Sequence, residues 1–198
     1  MAARDPASRS LYINTGSGGD LESLVPDNIT ADAFGVGSDA ELYARFGVSS
    51  SGALTRQINW ARGYDAYDQD GDGNTDDRQR WVLGDILHSQ PLVLNYGARG
   101  GFTEDSPDLR LVVGTNAGFV HMFGADDGAE DWAFFPKELA HILQLRRRDA
   151  LSSDNIYGMD LTPTAYTLDV DADGTLDSGD GDKAWVFLGM RRGGYAYY

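Results

Sequence analysis

The sequence predicts a mainly β fold: partial, propeller-like antiparallel blades with acidic loops, preceded by a short α-helical N-terminal extension. Three observations predict it. Short apolar runs between residues 109 and 135 are separated by Asn116-Ala117-Gly118 and Asp126-Asp127-Gly128, the turn chemistry that joins antiparallel strands. Beyond residue 80, apolar and aromatic runs of strand length recur between glycine-containing turns. Helical spacing with capping residues is confined to two short stretches before residue 66 and one at 136–149.

Residues 1–37 are rich in Gly, Ser and Asp and carry no sustained period. "SDAELYARFG" (38–47) predicts a helix with Ser38 as N-cap, Glu41 three positions on and Gly47 as its stop. "LTRQINWARGYD" (54–65) predicts a second from the spacing of Leu54, Ile58 and Ala61. Residues 1–64 therefore form the extension, and 65–80 an acidic loop and linker. Residues 81–198 form an incomplete propeller of two to three blades. "WVLGDILHSQPLVLNYG" (81–97) predicts one or two strands around Pro91, and 109–115, 119–124 and 130–135 an antiparallel meander. "PKELAHILQLRRRD" (136–149) predicts a helix with Pro136 in its first turn and Leu139, Ile142 and Leu143 on one face. Its Arg146, Arg147 and Arg148 sit where the helix dipole favours cations, a solvated helix end. Strands at 163–170 and 184–190 flank a second acidic loop, and the chain stops within "YAYY". A blade takes roughly 40–50 residues and a closed ring at least four blades, so this region cannot close. An uncovered aromatic edge at "YAYY" predicts self-association.

The acidic loops carry the chemistry. In "DQDGDGNTD" (68–76), Asp68, Asp70, Asp72 and Asp76 occupy loop positions 1, 3, 5 and 9. Gly73 stands at position 6, and Asn74 offers its carbonyl at position 7. That is the ligand order of an EF-hand calcium loop, in which hard oxygens wrap one cation and the glycine permits the turn. Gln79 replaces the usual bidentate Glu at position 12, so a closing ligand must come from Asp77, from elsewhere in the fold or from water. "DVDADGTLD" (169–177) repeats the order with Asp169, Asp171, Asp173, Gly174, Thr175 (carbonyl) and Asp177, and places Asp180 at position 12. No apolar helix leads into it, so it predicts a calcium loop between strands. One or two calcium ions are expected.

The net charge is −15, and the twelve Asp within 64–77 and 169–182 account for all but three of those negative charges. The acidity is thus local to the two loops, and nucleic acid is excluded as a partner. The absence of cysteine excludes thiolate sites and thiol catalysis. No apolar run is long enough to cross a membrane. "MAARDPASRS" shows no export signal, although such calcium loops suit an environment outside the cytosol.

Several motifs occur in an order that resembles the PilC/PilY family of type IV pilus biogenesis and tip proteins, in its C-terminal propeller region. They are "INWARG" (58–63), the loop 68–76, "LGDILHSQPLVL" (83–94), "VVGTNAGFVHMFGADDGAEDWAFFP" (112–136), "YGMDLTPTAYTLDV" (157–170) and "WVFLGMRRGGYAYY" (185–198). They cover most of the chain from about residue 55. "TNAG" departs from the family's Asn-Asp-Gly and "YGMD" from its Val-Asp-Gly. The resemblance implies an exported, cell-surface, pilus-associated protein of which this chain is an internal or truncated piece. It also implies a calcium-dependent, non-catalytic role in pilus extension and retraction, twitching motility and surface attachment. Its implied partners are pilus components such as minor pilins, and host or surface receptors.

Two other readings compete. Ala125, Asp127, Gly128 and Trp132 fit approximately the docking motif of pyrroloquinoline quinone dehydrogenase propellers, whose full ring this chain is too short to build. A structural, calcium-stapled surface module is the other. His88, next to Ser89, is wrongly placed for a nucleophile and its base. His88, His121 and His141 match no zinc spacing and are assigned structural roles. "GVGSDA" (35–40) lacks the preceding strand that a phosphate cradle needs.

Overall fold

A computed structural model describes residues 5–16, 19–78, 82–148 and 155–198. Among these residues, eight strands form two sheets. The larger has the order β2-β1-β6-β5-β4-β3. Its strands are β1 (Leu11–Thr15), β2 (Asp20–Ser23), β3 (Leu92–Asn95), β4 (Leu109–Gly114), β5 (Val120–Gly124) and β6 (Glu130–Phe135). The smaller is the hairpin of β7 (Thr164–Leu168) and β8 (Lys183–Phe187). Helices α1 (Ala31–Phe34), α2 (Asp39–Phe46), α3 (Ser51–Arg62) and α4 (Ala140–Arg148) complete a mixed α/β architecture.

This corrects the expectation of a mainly β, propeller-like fold. Strands β3 to β6 do run as one antiparallel meander. The free side of β6, however, is taken by β1 in parallel, Tyr12 opposite Phe134, and no propeller is present among the described residues. Residues 11–23, without a clear period in the sequence, supply β1 and β2 to this sheet.

The helices follow their caps. The Ser38 hydroxyl accepts from the Glu41 amide, and Glu41 reaches back to the Gly37 amide. α2 ends at Gly47, in the left-handed region. α3 begins earlier than its apolar spacing suggests, because Ser50 caps it by accepting from Ala53 N–H. After Pro136 a 3-10 turn (Lys137–Leu139) precedes α4, which buries Ile142 and Leu143. Asp149, Gln79 and Trp81, part of the segments predicted above, lie outside the described residues.

Each sheet face is covered differently. Leu11, Ile13, His121, Ala133 and Phe135 share the helix-covered face, where Phe119 meets Phe135 at 4.9 Å and α4 brings Ile142 beside Phe135. Gly118, at φ +94°, lies so close to Phe135 and Ile142 that a β-carbon there would sit under 3 Å from both. On the opposite face Tyr12, Trp132 and Phe134 line a groove of about 590 Å³ with Val186 and Leu188.

One buried ion cluster ties the first segment to this sheet. Arg9 Nε donates to Glu130 Oε2 at 2.7 Å, its second terminal nitrogen donates to Oε1 at 3.0 Å, and its first donates to the Arg62 carbonyl. His121 Nδ1 meets Glu130 Oε1 at 2.7 Å. Burial alone would raise the Glu130 carboxyl, but the bonds from His121 and Arg9 bring it down to about 2. Burial pushes the His121 ring below its ordinary value, which keeps it neutral.

Candidate metal centres

The first acidic loop is built on α3. Gly63 ends that helix at φ +109°, and the chain then bridges Tyr64 to Arg78, with Asp65 N–H bonded to the Asp77 carbonyl at 2.8 Å. This pairing closes the base of the loop. The buried Asp65 carboxylate accepts from the amides of Gln69 and Asp70. The guanidinium groups of Arg56 (5.7 Å) and Arg147 (4.2 Å) both lie over the Tyr67 ring, which brings cations from α3 and α4 beside the start of the acidic turn.

Above that base the carboxylates are held by backbone amides in series. Asp68 accepts from Gly73 N–H at 3.0 Å, Asp70 from Asp72, Asp72 from Asn74, and the Asn74 side chain from Asp76. Each short side chain folds back on a later amide, the local bonding for which Asp and Asn are favoured in turns. Asp68, at φ +53°, with Gly71 and Gly73 also at positive φ, coils the loop. The structure brings together Asp68, Asp70 and Asp72, whose oxygens lie within 4.8 Å of one another. Asn74 and Asp76 stand next along the turn, bonded to each other.

Asp77 bears on the missing closing ligand. One of its carboxylate oxygens is buried without a hydrogen-bond partner. Burial raises its proton affinity, and the negative charges of Asp72, Asp70 and Asp65 raise it further. An orphaned oxygen facing three like charges fits a cation.

The second loop joins β7 to β8. Asp169 accepts from Ala172 N–H (2.7 Å) and Gly174 N–H (2.9 Å), Asp173 from Thr175 N–H, and Asp177 from Gly179 N–H. Here the oxygens within 4.8 Å of one another belong to Asp169, Asp171 and Asp182. Asp182 is the residue that sequence reasoning missed. It lies two places beyond Asp180, the position-12 residue, which is exposed. Its buried carboxylate accepts from Val170 (2.7 Å) and Asp177 (3.0 Å), stapling the two ends of the loop. Those bonds lower its pKa, so it stays ionised, whereas burial and Asp173 raise that of Asp171. The only sequence signal was its place one residue before β8. The loop is seated on the β3–β4 connection: Leu176 N–H bonds the Tyr96 carbonyl, and a side chain at Gly97 would collide with the Gly174 carbonyl. Asp173 and Thr175 line a shallow hollow there with Asn95 and Glu104.

Both donor sets are oxygen only, the donor type that suits hard cations such as calcium and magnesium. The histidines lie elsewhere: His121 in the buried cluster, His88 against Asp160, and His141 exposed on α4. Gly35 ends α1 and Ser38 caps α2, so "GVGSDA" is a helix-to-helix connection. Asp127 and Gly128 form the β5–β6 turn, with Asp127 accepting from Ala129 N–H. No helix among the described residues is long and apolar enough to cross a membrane.

No family model and no solved structure matches the chain. Among curated proteins, over 92% of its length and at 30% identity, the chain is similar to the type IV pilus biogenesis factor PilY1 of Pseudomonas aeruginosa (strain UCBPP-PA14), of which it spans 16%.

Proposed function

We propose that this chain is a calcium-binding, non-catalytic region of a type IV pilus biogenesis factor, in which ions fix the two Asp loops against the sheet. The observation that carries the reading is the pair of aspartate triads, each held in place by its own loop amides. Ligands in the first loop are Asp68, Asp70, Asp72, the Asn74 carbonyl and Asp76, with Asp77 as the closing group. In the second they are Asp169, Asp171 and Asp182, with Asp173, the Thr175 carbonyl and Asp177 along the turn. The likeness to PilY1 supports an exported, pilus-associated location, a role in pilus extension, retraction and surface attachment, and pilus components such as minor pilins as partners.

Calorimetry on chelator-treated chain tests this reading. Calcium should bind in two events. Asp68→Ala with Asp72→Ala should remove one, and Asp169→Ala with Asp182→Ala the other. At a hundred times the dissociation constant each site should add about 2.7 kcal/mol of stability. Magnesium should substitute poorly, because it demands a smaller octahedral shell. Wild-type chain giving neither calcium heat nor thermal shift would refute the proposal.

A further inference from the structure

A third polar site lies away from both acidic loops, where segments 85–90, 157–162 and 189–193 meet. Backbone contacts weld these segments. Asn116 N–H bonds the Asp85 carbonyl, Met159 N–H bonds that of Thr115, and Gly193 packs directly on the Gly158 carbonyl. The Ser89 hydroxyl accepts from Gly114 N–H, and that of Thr162 from Gln90 N–H. At the junction His88 Nδ1 sits 2.8 Å from Asp160 Oδ1. The carboxylate is 1% exposed and the imidazole 28%. Asp160 therefore fixes the ring from behind, and its Oδ2 remains buried without a hydrogen-bond partner.

Two arginines and a tyrosine lie beside this pair. Arg191, at φ +50°, holds a terminal nitrogen 4.0 Å from Asp160 Oδ2, near enough for attraction and too far for a hydrogen bond. A non-glycine residue in that region costs backbone energy and recurs at ligand sites. Arg192 lies over the Tyr157 ring at 5.3 Å, and Tyr157 flanks His88 at 6.0 Å. The Tyr157 hydroxyl accepts from Arg192 (3.2 Å) and from the Asn155 side chain (3.3 Å). With both lone pairs occupied, its own proton is left to donate outward. Two guanidinium groups and a phenol proton thus cluster with the His88–Asp160 pair, a locally positive patch on a chain of net charge −15.

We propose that Tyr157, Arg191 and Arg192, beside His88, bind a small oxyanion, a carboxylate or a phosphate. The planar arginine forks suit its paired oxygens, and His88, held by Asp160, serves as the adjacent reporter. The chain's three histidines make the test internal. Acetate and inorganic phosphate are titrated separately into the chelator-treated chain at low salt, and the imidazole resonances are followed by NMR. The His88 signal should shift saturably with at least one anion, while the exposed His141 moves little, and the tighter anion identifies the ligand class. Arg192→Gln and Tyr157→Phe should each weaken binding about tenfold or more, whereas Arg45→Gln, on α2, should leave it unchanged. The buried His121 signal verifies the fold of each variant. A His88 shift no larger than that of His141 with both anions, or equal binding by folded Arg192→Gln, overturns the proposal.

Discussion

Replacing Glu130 by Gln tests the buried latch most directly, because both of its partners are themselves buried. The carboxyl is displaced from its ordinary 4.5 to about 2. A difference of about 2.5 units at 1.36 kcal/mol each corresponds to about 3 kcal/mol of stability at neutral pH. Breaking a buried ion pair costs about 3–5 kcal/mol by mutation, and Arg9 would be left without its counter-charge. The sign follows from the direction of the shift. A carboxyl with a lower pKa in the folded state contributes fully above about pH 4.5, and that contribution fades as pH falls toward 2. His121, held neutral by burial, also favours the folded state at higher pH: its contribution is full above about 6.5 and declines below. Other carboxylates titrate in the same range, so the informative quantity is the difference between wild type and variant. Urea unfolding in chelator, followed by tryptophan fluorescence at pH 7, 5 and 3, should show a gap of about 3 kcal/mol that narrows at the lowest pH. A gap under about 1 kcal/mol at pH 7, or one constant with pH, would refute the reasoning.

Two further outcomes are expected. Asp182→Asn should abolish calcium binding at the second loop and spare the first, whereas Asp180→Asn should leave both; calorimetry showing the reverse would restore position 12 as the closing ligand. Gly118→Val should cost about 1–3 kcal/mol in chemical denaturation, because its β-carbon meets Phe135 and Ile142 and its φ is positive; an unchanged midpoint would mean that this turn repacks freely.

What the sequence made legible was local. The Asn116–Gly118 and Asp126–Gly128 turns place β4, β5 and β6 in register because each contact spans a few residues. Ser38 and Gly47 mark α2 for the same reason. The parallel pairing of β1 with β6 was not legible, since Leu11 and Ala133 are brought together across more than half the chain. Its specification lies in a contact between distant residues, the Arg9–Glu130 pair, and in a strand buried at four of five positions, which erases the alternation by which strands are recognised. The propeller expectation failed at that step: a meander reads the same in sequence whether its outer edge meets another strand or stays open.

The acidic loops divide in the same way. The alternating carboxylates are legible because Asx-type turns bond residues two to five apart, and the structure reproduces that pattern in both loops. Which oxygens converge depends on where the loop ends are pinned. In the second loop the pin is Asp182, whose two oxygens each accept an amide, from Val170 at the start and Asp177 near the end. A carboxylate so bonded uses one lone pair on each oxygen and keeps the other for a cation. The amides therefore orient the aspartates and offset part of their mutual repulsion without occupying the ligand positions. That arrangement would lower the ordering cost of binding a divalent cation, which would also remove the residual repulsion that raises the proton affinity of Asp171 and Asp77. The same partition separates the His88–Asp160 pair from sequence reasoning. Their contact spans 72 residues, and Gly158 and Gly193 let two of the segments behind it pack closely.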